Sequence, residues 1–197
     1  TYGHHLKGWE REFLGPTYEL LAHQGRPLAH TSKVEALQPS ELIGRFADGA
    51  IVEPLPSSWS TSEDDIAGHN PYPLWHAPGN EVHRLQWEYV EHCLALLAVA
   101  QRYAKSDEAK KFAGLAHNQF EPALHSDQFW WASRRPMWDV PMIHRGFQLL
   151  NQVLLYAWKA VMLGDASQRV KREASWRVAA AGMVRAELER RLFEEAA

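Results

Sequence analysis

Asp139-Val140-Pro141-Met142-Ile143-His144-Arg145-Gly146-Phe147-Gln148-Leu149-Leu150-Asn151-Gln152-Val153-Leu154-Leu155-Tyr156-Ala157-Trp158-Lys159-Ala160-Val161-Met162-Leu163-Gly164 is the stretch on which the fold class turns. Ile143, Phe147, Leu150, Leu154, Ala157 and Val161 recur at intervals of three and four, which lays one apolar stripe along an α-helix. Asp139 is a ready N-cap, because its carboxylate can accept an unpaired N–H of the first turn. Gly164 reads as the stop. Between Leu154 and Leu163 only Lys159 is charged. A helix so apolar on all sides needs neighbours around it, so the segment is expected at the centre of a helical bundle.

The flanking sequence supplies those neighbours. Downstream, a helix from Ser167 to about Glu194 places Val170, Ala174, Val178, Ala181, Val184, Leu188 and Leu192 on one seam, with Arg and Glu elsewhere. Upstream, Asn80 caps a helix whose stripe is Val82, Leu85, Tyr89, Cys93, Leu96 and Ala100, and Ser106-Asp107 opens another that runs to about Asn118. Residues 80–197 thus read as a helical bundle domain. Residues 1–79 are different material. Leu6 to His23 reads as a helix kinked at Pro16, 28–37 as a weak strand, Pro39 as the opening of a short helix, and Ala50-Ile51-Val52 as a short buried strand. That alternation is the rhythm of an α/β layer or barrel. Pro54 to Gly79 carries five prolines, the polar run Ser57 to Asp65, and the aromatics Trp59, Tyr72 and Trp75. A long irregular segment with aromatics reads as an ordered functional loop rather than as disorder.

Composition excludes several classes of function. The 197 residues are 46% hydrophobic and 23% charged with a net charge of −3, so the chain has core-forming capacity and no basic surface for nucleic acid. No apolar run is long enough to span a membrane. The single Cys93 cannot form an internal disulfide and fits a reducing, cytoplasmic compartment. Neither GxGxxG nor GxxxxGK[ST] occurs, nor does HExxH or a GxSxG elbow. Cys93 lies on an apolar stripe and reads as core, and His83, His92, His117 and His125 read as polar or capping residues. Asp64 and Asp65 read as loop or N-cap carboxylates. What stands out is nine Trp and eleven His. Trp outside a core offers a flat platform for a ligand with an apolar face.

Three segments carry possible chemistry: Thr1-Tyr2-Gly3-His4-His5-Leu6-Lys7-Gly8, Leu55-Pro56-Ser57-Ser58-Trp59-Ser60, and Ala123-Leu124-His125-Ser126-Asp127-Gln128-Phe129-Trp130-Trp131-Ala132-Ser133. The first is a Gly-containing turn with paired His before a helix, the place where α/β barrels put active-site groups. The last joins adjacent Trp faces to a carboxylate, which suits a sugar with its apolar C–H face and hydroxyl rim. The opening resembles the fourth conserved region of glycoside hydrolase family 57, in which an Asp-Gly-Glu triplet precedes an aromatic-Gly pair. Tyr2-Gly3-His4-His5 would continue that motif, with the triplet expected before Thr1. Ser126-Asp127-Gln128-Phe129-Trp130-Trp131 looks like a Ser-Asp-Trp-Phe-Trp-Trp segment of the family's helical domain, with Gln128 where many members have Trp. Leu55 to Trp59 would fall where the fifth conserved region ends a barrel strand.

The resemblance covers roughly residues 1 to 150. It implies a mostly α chain: the terminal βα units of an incomplete (β/α)7 barrel with a Pro-rich active-site loop (1–79), followed by the helical bundle domain (80–197). It further implies the C-terminal fragment of a retaining glycoside hydrolase or glucanotransferase acting on α-glucan or a related polysaccharide, with no metal or cofactor. Retaining chemistry needs two carboxyl groups about 5–5.5 Å apart. The positions that match them precede Thr1, so no catalytic residue is assigned here. The substrate contacts implied are His4, His5, Ser58, Trp59, Asp127, Trp130 and Trp131, with an oligo- or polysaccharide as partner and neither nucleic acid nor membrane. The alternative class is a non-catalytic helical binding or interaction module that uses its Trp residues for packing.

Overall fold

The computed structural model describes residues 38–46 and 53–196 except 136, together with the isolated positions 12, 15, 16, 19 and 49. The chain divides into two compact units, Thr1–Pro54 and Leu55–Ala197. Residues 55–79 therefore group with the helices, whereas composition placed the break after Gly79. Of the helix expected over 6–23 only positions 12, 15, 16 and 19 are described, and the strands expected over 28–37 and 50–52 lie outside the described residues. Of the first unit, helix α1 (Pro39–Arg45) is described, with Pro39 in its first turn and the Gln38 N–H donating to Glu41 Oε2 at 2.7 Å.

In the second unit the order is α2 (Glu63–Ala67), α3 (Glu81–Tyr103), α4 (Asp107–Ala123), α5 (Asp127–Trp130), α6 (Val140–Leu163) and α7 (Gln168–Ala196). Among the described residues there is no strand, so the protein is mostly α as expected. No helix among them is long and apolar enough to cross a membrane.

The caps sit where the sequence places them. Asn80 Oδ1 accepts the His83 N–H, Ser106 Oγ the Ala109 N–H, and Asp139 Oδ1 the Met142 N–H, at 3.1, 3.2 and 3.1 Å. Each satisfies a first-turn donor that has no partner inside its helix. The expected end of α4 near Asn118 falls one turn short. Pro122 stands in the final turn, and the helix reaches Ala123, whose side chain is fully buried. The gain from burying that last residue outweighs the poor helix propensity of the turn.

Helix α6 is central: α3, α4, α5 and α7 all pack on it. Its stripe of Ile143, Phe147, Leu150, Leu154, Ala157 and Val161 is buried throughout. Ala109, Ala116 and Ala123 recur every seven residues on α4 at 0% exposure, so small side chains let α4 lie close to its neighbours. Tyr89 on α3 meets Phe147 on α6 edge to face at 5.0 Å, and its hydroxyl donates to Asn151 Oδ1 at 3.0 Å. Lys159, the one charge in the apolar half of α6, holds its ammonium 4.1 Å over the ring of Phe112 on α4. Cys93 is buried on its stripe, and burial pushes its thiol pKa up to about 12, so it is packing and not a nucleophile.

The segment before α3 is ordered by its own polar side chains. The Ser62 N–H and hydroxyl donate to Asp65 Oδ2 at 2.9 and 2.7 Å, and Ser62 Oγ accepts the Asp65 N–H at 3.2 Å. Thr61 donates to the Pro71 carbonyl at 2.7 Å, closing the loop. Arg135 reaches Asp65 Oδ1 at 2.6 Å and ties the loop to the segment after α5. The hydrogen bonds from Arg135 and Ser62 hold the Asp65 carboxyl far below the ordinary carboxylate range. Asp65 is thus a structural carboxylate, the third helical residue of a capping box whose N-cap is Ser62, at a position that the sequence reads as a loop or N-cap carboxylate.

Candidate functional site

Residues 72–79 lie against the first turns of α3. The Trp75 and His76 N–H groups both donate to the Tyr72 carbonyl, at 3.1 and 2.8 Å, which folds the loop into a tight turn. Gly79 takes a left-handed φ of 81°, the conformation in which a side chain would be strained, and delivers the chain to the Asn80 cap. The Asn80 amide donates to the Ala132 carbonyl at 2.8 Å. His83, buried, accepts the Ala77 N–H on Nδ1 at 3.2 Å and holds the Phe129 carbonyl with Nε2 at 2.8 Å. With Nδ1 accepting, the neutral ring must carry its proton on Nε2. One imidazole therefore bolts the loop, α3 and α5 together.

Aromatic rings line the surface above this bolt. The Trp87 indole N–H donates to the Trp75 carbonyl at 2.8 Å, and the Trp87 ring stacks on Phe129 at 4.6 Å and 18°. His76 meets Trp87 edge-on at 6.0 Å. Trp59, 78% exposed, stands edge-on to Trp75 at 5.9 Å. Tyr72, Trp75, His76, Trp87 and Glu91 enclose a groove of about 420 Å³. A second hollow of about 530 Å³ shares His76, Trp87 and Glu91 and extends along Asn80, Arg84 and Glu88. Arg84 pairs with Glu81 and Glu88 at 2.9 and 2.8 Å. Among the described residues Glu91 makes no ion pair, and no three His, Cys, Asp or Glu side chains gather as a metal site.

The residues singled out from sequence are dispersed. His4 and His5 lie outside the described residues. Ser58 is occupied in its own turn: its N–H donates to Thr61 Oγ1 at 2.7 Å, and its hydroxyl lies 2.9 Å from the same oxygen. Trp59 abuts the groove through Trp75. Asp127 is exposed in the first turn of α5, and its carbonyl accepts the Trp131 N–H at 2.8 Å. Trp131 packs on the core with His125 at its edge, and the half-buried Trp130 has a covered indole N–H with no hydrogen-bond partner among the described residues. Asp127, Trp130 and Trp131 line neither hollow. Gln128 is fully buried; its amide donates to the Ala123 carbonyl, and its own carbonyl accepts Gln86 Nε2 at 2.9 Å. In this chain that position is a core position.

No protein-family model, curated protein or solved structure matches the chain.

The residues that sequence reading passed over are Trp87 and Glu91. Their signal was present: Arg84, Trp87, Glu88 and Glu91 recur at intervals of three and four on the face of α3 beside its apolar stripe. Only the loop folded onto that face turns it into a groove.

His83 makes the fold acid-sensitive. Burial lowers its pKa below 6.5, the bond to the Phe129 carbonyl opposes that shift, and the charge of His76 adds to it. The unfolded chain takes up the proton near 6.5, whereas the folded chain resists until lower pH. Stability from this residue is complete above 6.5 and is lost as pH falls toward the lowered folded value. His92, lowered by burial and by Arg177, acts in the same direction. Urea midpoints are expected to fall from pH 7.5 to pH 5.5, by at most about 1.4 kcal/mol per pH unit for each proton. His83→Gln should give a shallower slope. An unchanged slope in that variant would assign the acid sensitivity elsewhere.

Proposed function

We propose that the helical unit is the carbohydrate-contacting part of a glycosidase or glucanotransferase like those of glycoside hydrolase family 57, binding an oligo- or polysaccharide related to α-glucan. Its role is to hold the chain; bond cleavage belongs to the carboxylate pair that the resemblance implies upstream of Thr1. The observation that carries this reading is the groove of Tyr72, Trp75 and Trp87, with His76 and Glu91 at its rim. Flat apolar faces bordered by hydrogen-bonding groups match a pyranose, which offers C–H groups on its faces and hydroxyls around its edge. Trp87 is held from two sides, by its bond to Trp75 and its stack on Phe129, so the platform is ordered before any ligand arrives. The resemblance supports the reading independently, through Tyr2-Gly3-His4-His5 and the Ser126 to Trp131 string. The barrel units proposed for residues 1–79 rest on that resemblance.

Titration with maltohexaose, followed by tryptophan fluorescence, tests the proposal. Tyr72→Ala, which removes an exposed ring of the groove, is expected to weaken binding about 5- to 150-fold, the equivalent of about 1–3 kcal/mol for a lost stacking face, with an unchanged melting point. Trp131→Ala is expected to lower the melting point instead, since its ring packs on the core. Affinity that ignores Tyr72 would refute the groove. The alternative, an interaction module without catalysis, draws on Trp176, Met183 and Phe193 of α7, which are 72, 68 and 75% exposed. Absence of binding to any oligosaccharide would favour it.

A further inference from the structure

The charge of the groove narrows the class of sugar. Its lining residues are three aromatics, one imidazole and one carboxylate, Glu91, with neither Lys nor Arg. The one guanidinium in the adjoining hollow, on Arg84, is already shared between Glu81 and Glu88. Glu91 is exposed, one turn beyond Trp87 on the same helix face, and so stands beside an indole whose far side is sealed by Phe129. A neutral glucan has use for the aromatic faces but brings no charge to Glu91. An ammonium group uses both: indole and phenol rings attract cations through the negative face of the ring, and a nearby carboxylate adds direct attraction.

We propose that this groove binds a sugar bearing a protonated primary amine, with the ammonium lodged between the Trp75, Trp87 and Tyr72 rings and the Glu91 carboxylate. This deepens the carbohydrate reading and rests on it. Glu91 is the one carboxylate in the lining of the groove. The hexose ring then lies on an aromatic face, and the amine replaces one hydroxyl of the rim.

The experiment compares hexamers of β-1,4-linked glucosamine with their fully N-acetylated counterparts, at a pH that keeps the amine protonated. Acetylation removes the charge while keeping linkage and length. The glucosamine hexamer is expected to bind about tenfold tighter than the acetylated one, and Glu91→Gln should shrink that ratio, which is read within each protein so that any shared loss of a rim hydrogen bond cancels. Because Glu91 is solvent-exposed, the variant tests charge without disturbing the core. Maltohexaose runs alongside. Equal affinity for charged and acetylated hexamers, with Tyr72-dependent maltohexaose binding intact, overturns the amine preference and leaves the carbohydrate reading standing. An amine preference of unchanged size in Glu91→Gln overturns the assigned site. Failure of all three sugars overturns both readings.

Discussion

Truncating Phe147 to alanine is expected to destabilise the helical unit by about 3–5 kcal/mol, the usual cost of an aromatic ring lost from a core that cannot collapse around the void. Phe147 lies at 2% exposure on α6, against which α3, α4, α5 and α7 all pack, so no single neighbour can move in without leaving another. Its ring also supports Tyr89, 5.0 Å away, which is itself buried and bonded to Asn151. For a domain of this size the loss corresponds to a melting point lower by about 6–20 °C. Thermal and urea melts of the variant check it. The control is Leu155→Ala on the same helix, 44% exposed and expected to cost less than about 1 kcal/mol. A Phe147→Ala loss no larger than that of the control would mean that α6 is not the structural centre.

Gly164→Ala is the second large effect, and its cause is close approach rather than backbone freedom. Gly164 has φ −81°, which any residue adopts. A Cβ there would sit 2.3 Å from the Tyr103 carbonyl oxygen and 2.9 Å from its carbon, with the Ala160 oxygen at 3.0 Å. These are backbone atoms. The Tyr103 carbonyl is pinned by N–H donors from Lys105 and Asp165 at 2.9 and 3.1 Å, where the turn between α3 and α4 meets the turn between α6 and α7. One turn or the other must shift, at a cost of about 1–3 kcal/mol or more. Gly114→Ala in α4 is expected to do the reverse. Its Cβ would meet nothing within 4 Å, so the better helix propensity of alanine adds about 0.5–1 kcal/mol. Denaturant midpoints of the two variants should therefore move in opposite directions. A stable Gly164→Ala protein would show that the two turns are not in contact in solution.

Gly164 also marks a limit of sequence reading. The stop itself was legible, because a glycine after an apolar stripe ends a helix in most contexts. The left-handed cap that such a glycine usually supplies is absent; the glycine is needed by a loop some sixty residues away in the chain. Gln128 makes the same point. The segment it resembles has an aromatic there in many proteins, and only the packing of α5 on α6 places this side chain in the core, against Gly146, where an added Cβ would meet Gln128 Cβ at 2.7 Å.

The amino-acid sequence by itself determined the helical class of residues 80–197, the stripes that became the core, and the starts of α3, α4 and α6. All of these are local or periodic: a cap bonds three residues on, and a stripe is written at intervals of three and four. It also marked Asp65 as a structural carboxylate and Cys93 as core. Tertiary structure alone decided the extension of α4 to Ala123, the one-turn helix α5, and the groove. The groove needs one helix face, carrying Trp87 and Glu91, and a loop, carrying Tyr72 and Trp75, brought together by the bond from the Ala77 N–H to the buried His83 and by that from the Trp87 indole to the Trp75 carbonyl. No spacing rule encodes such a meeting, because it depends on where the chain returns after a turn and on which buried donors it finds there.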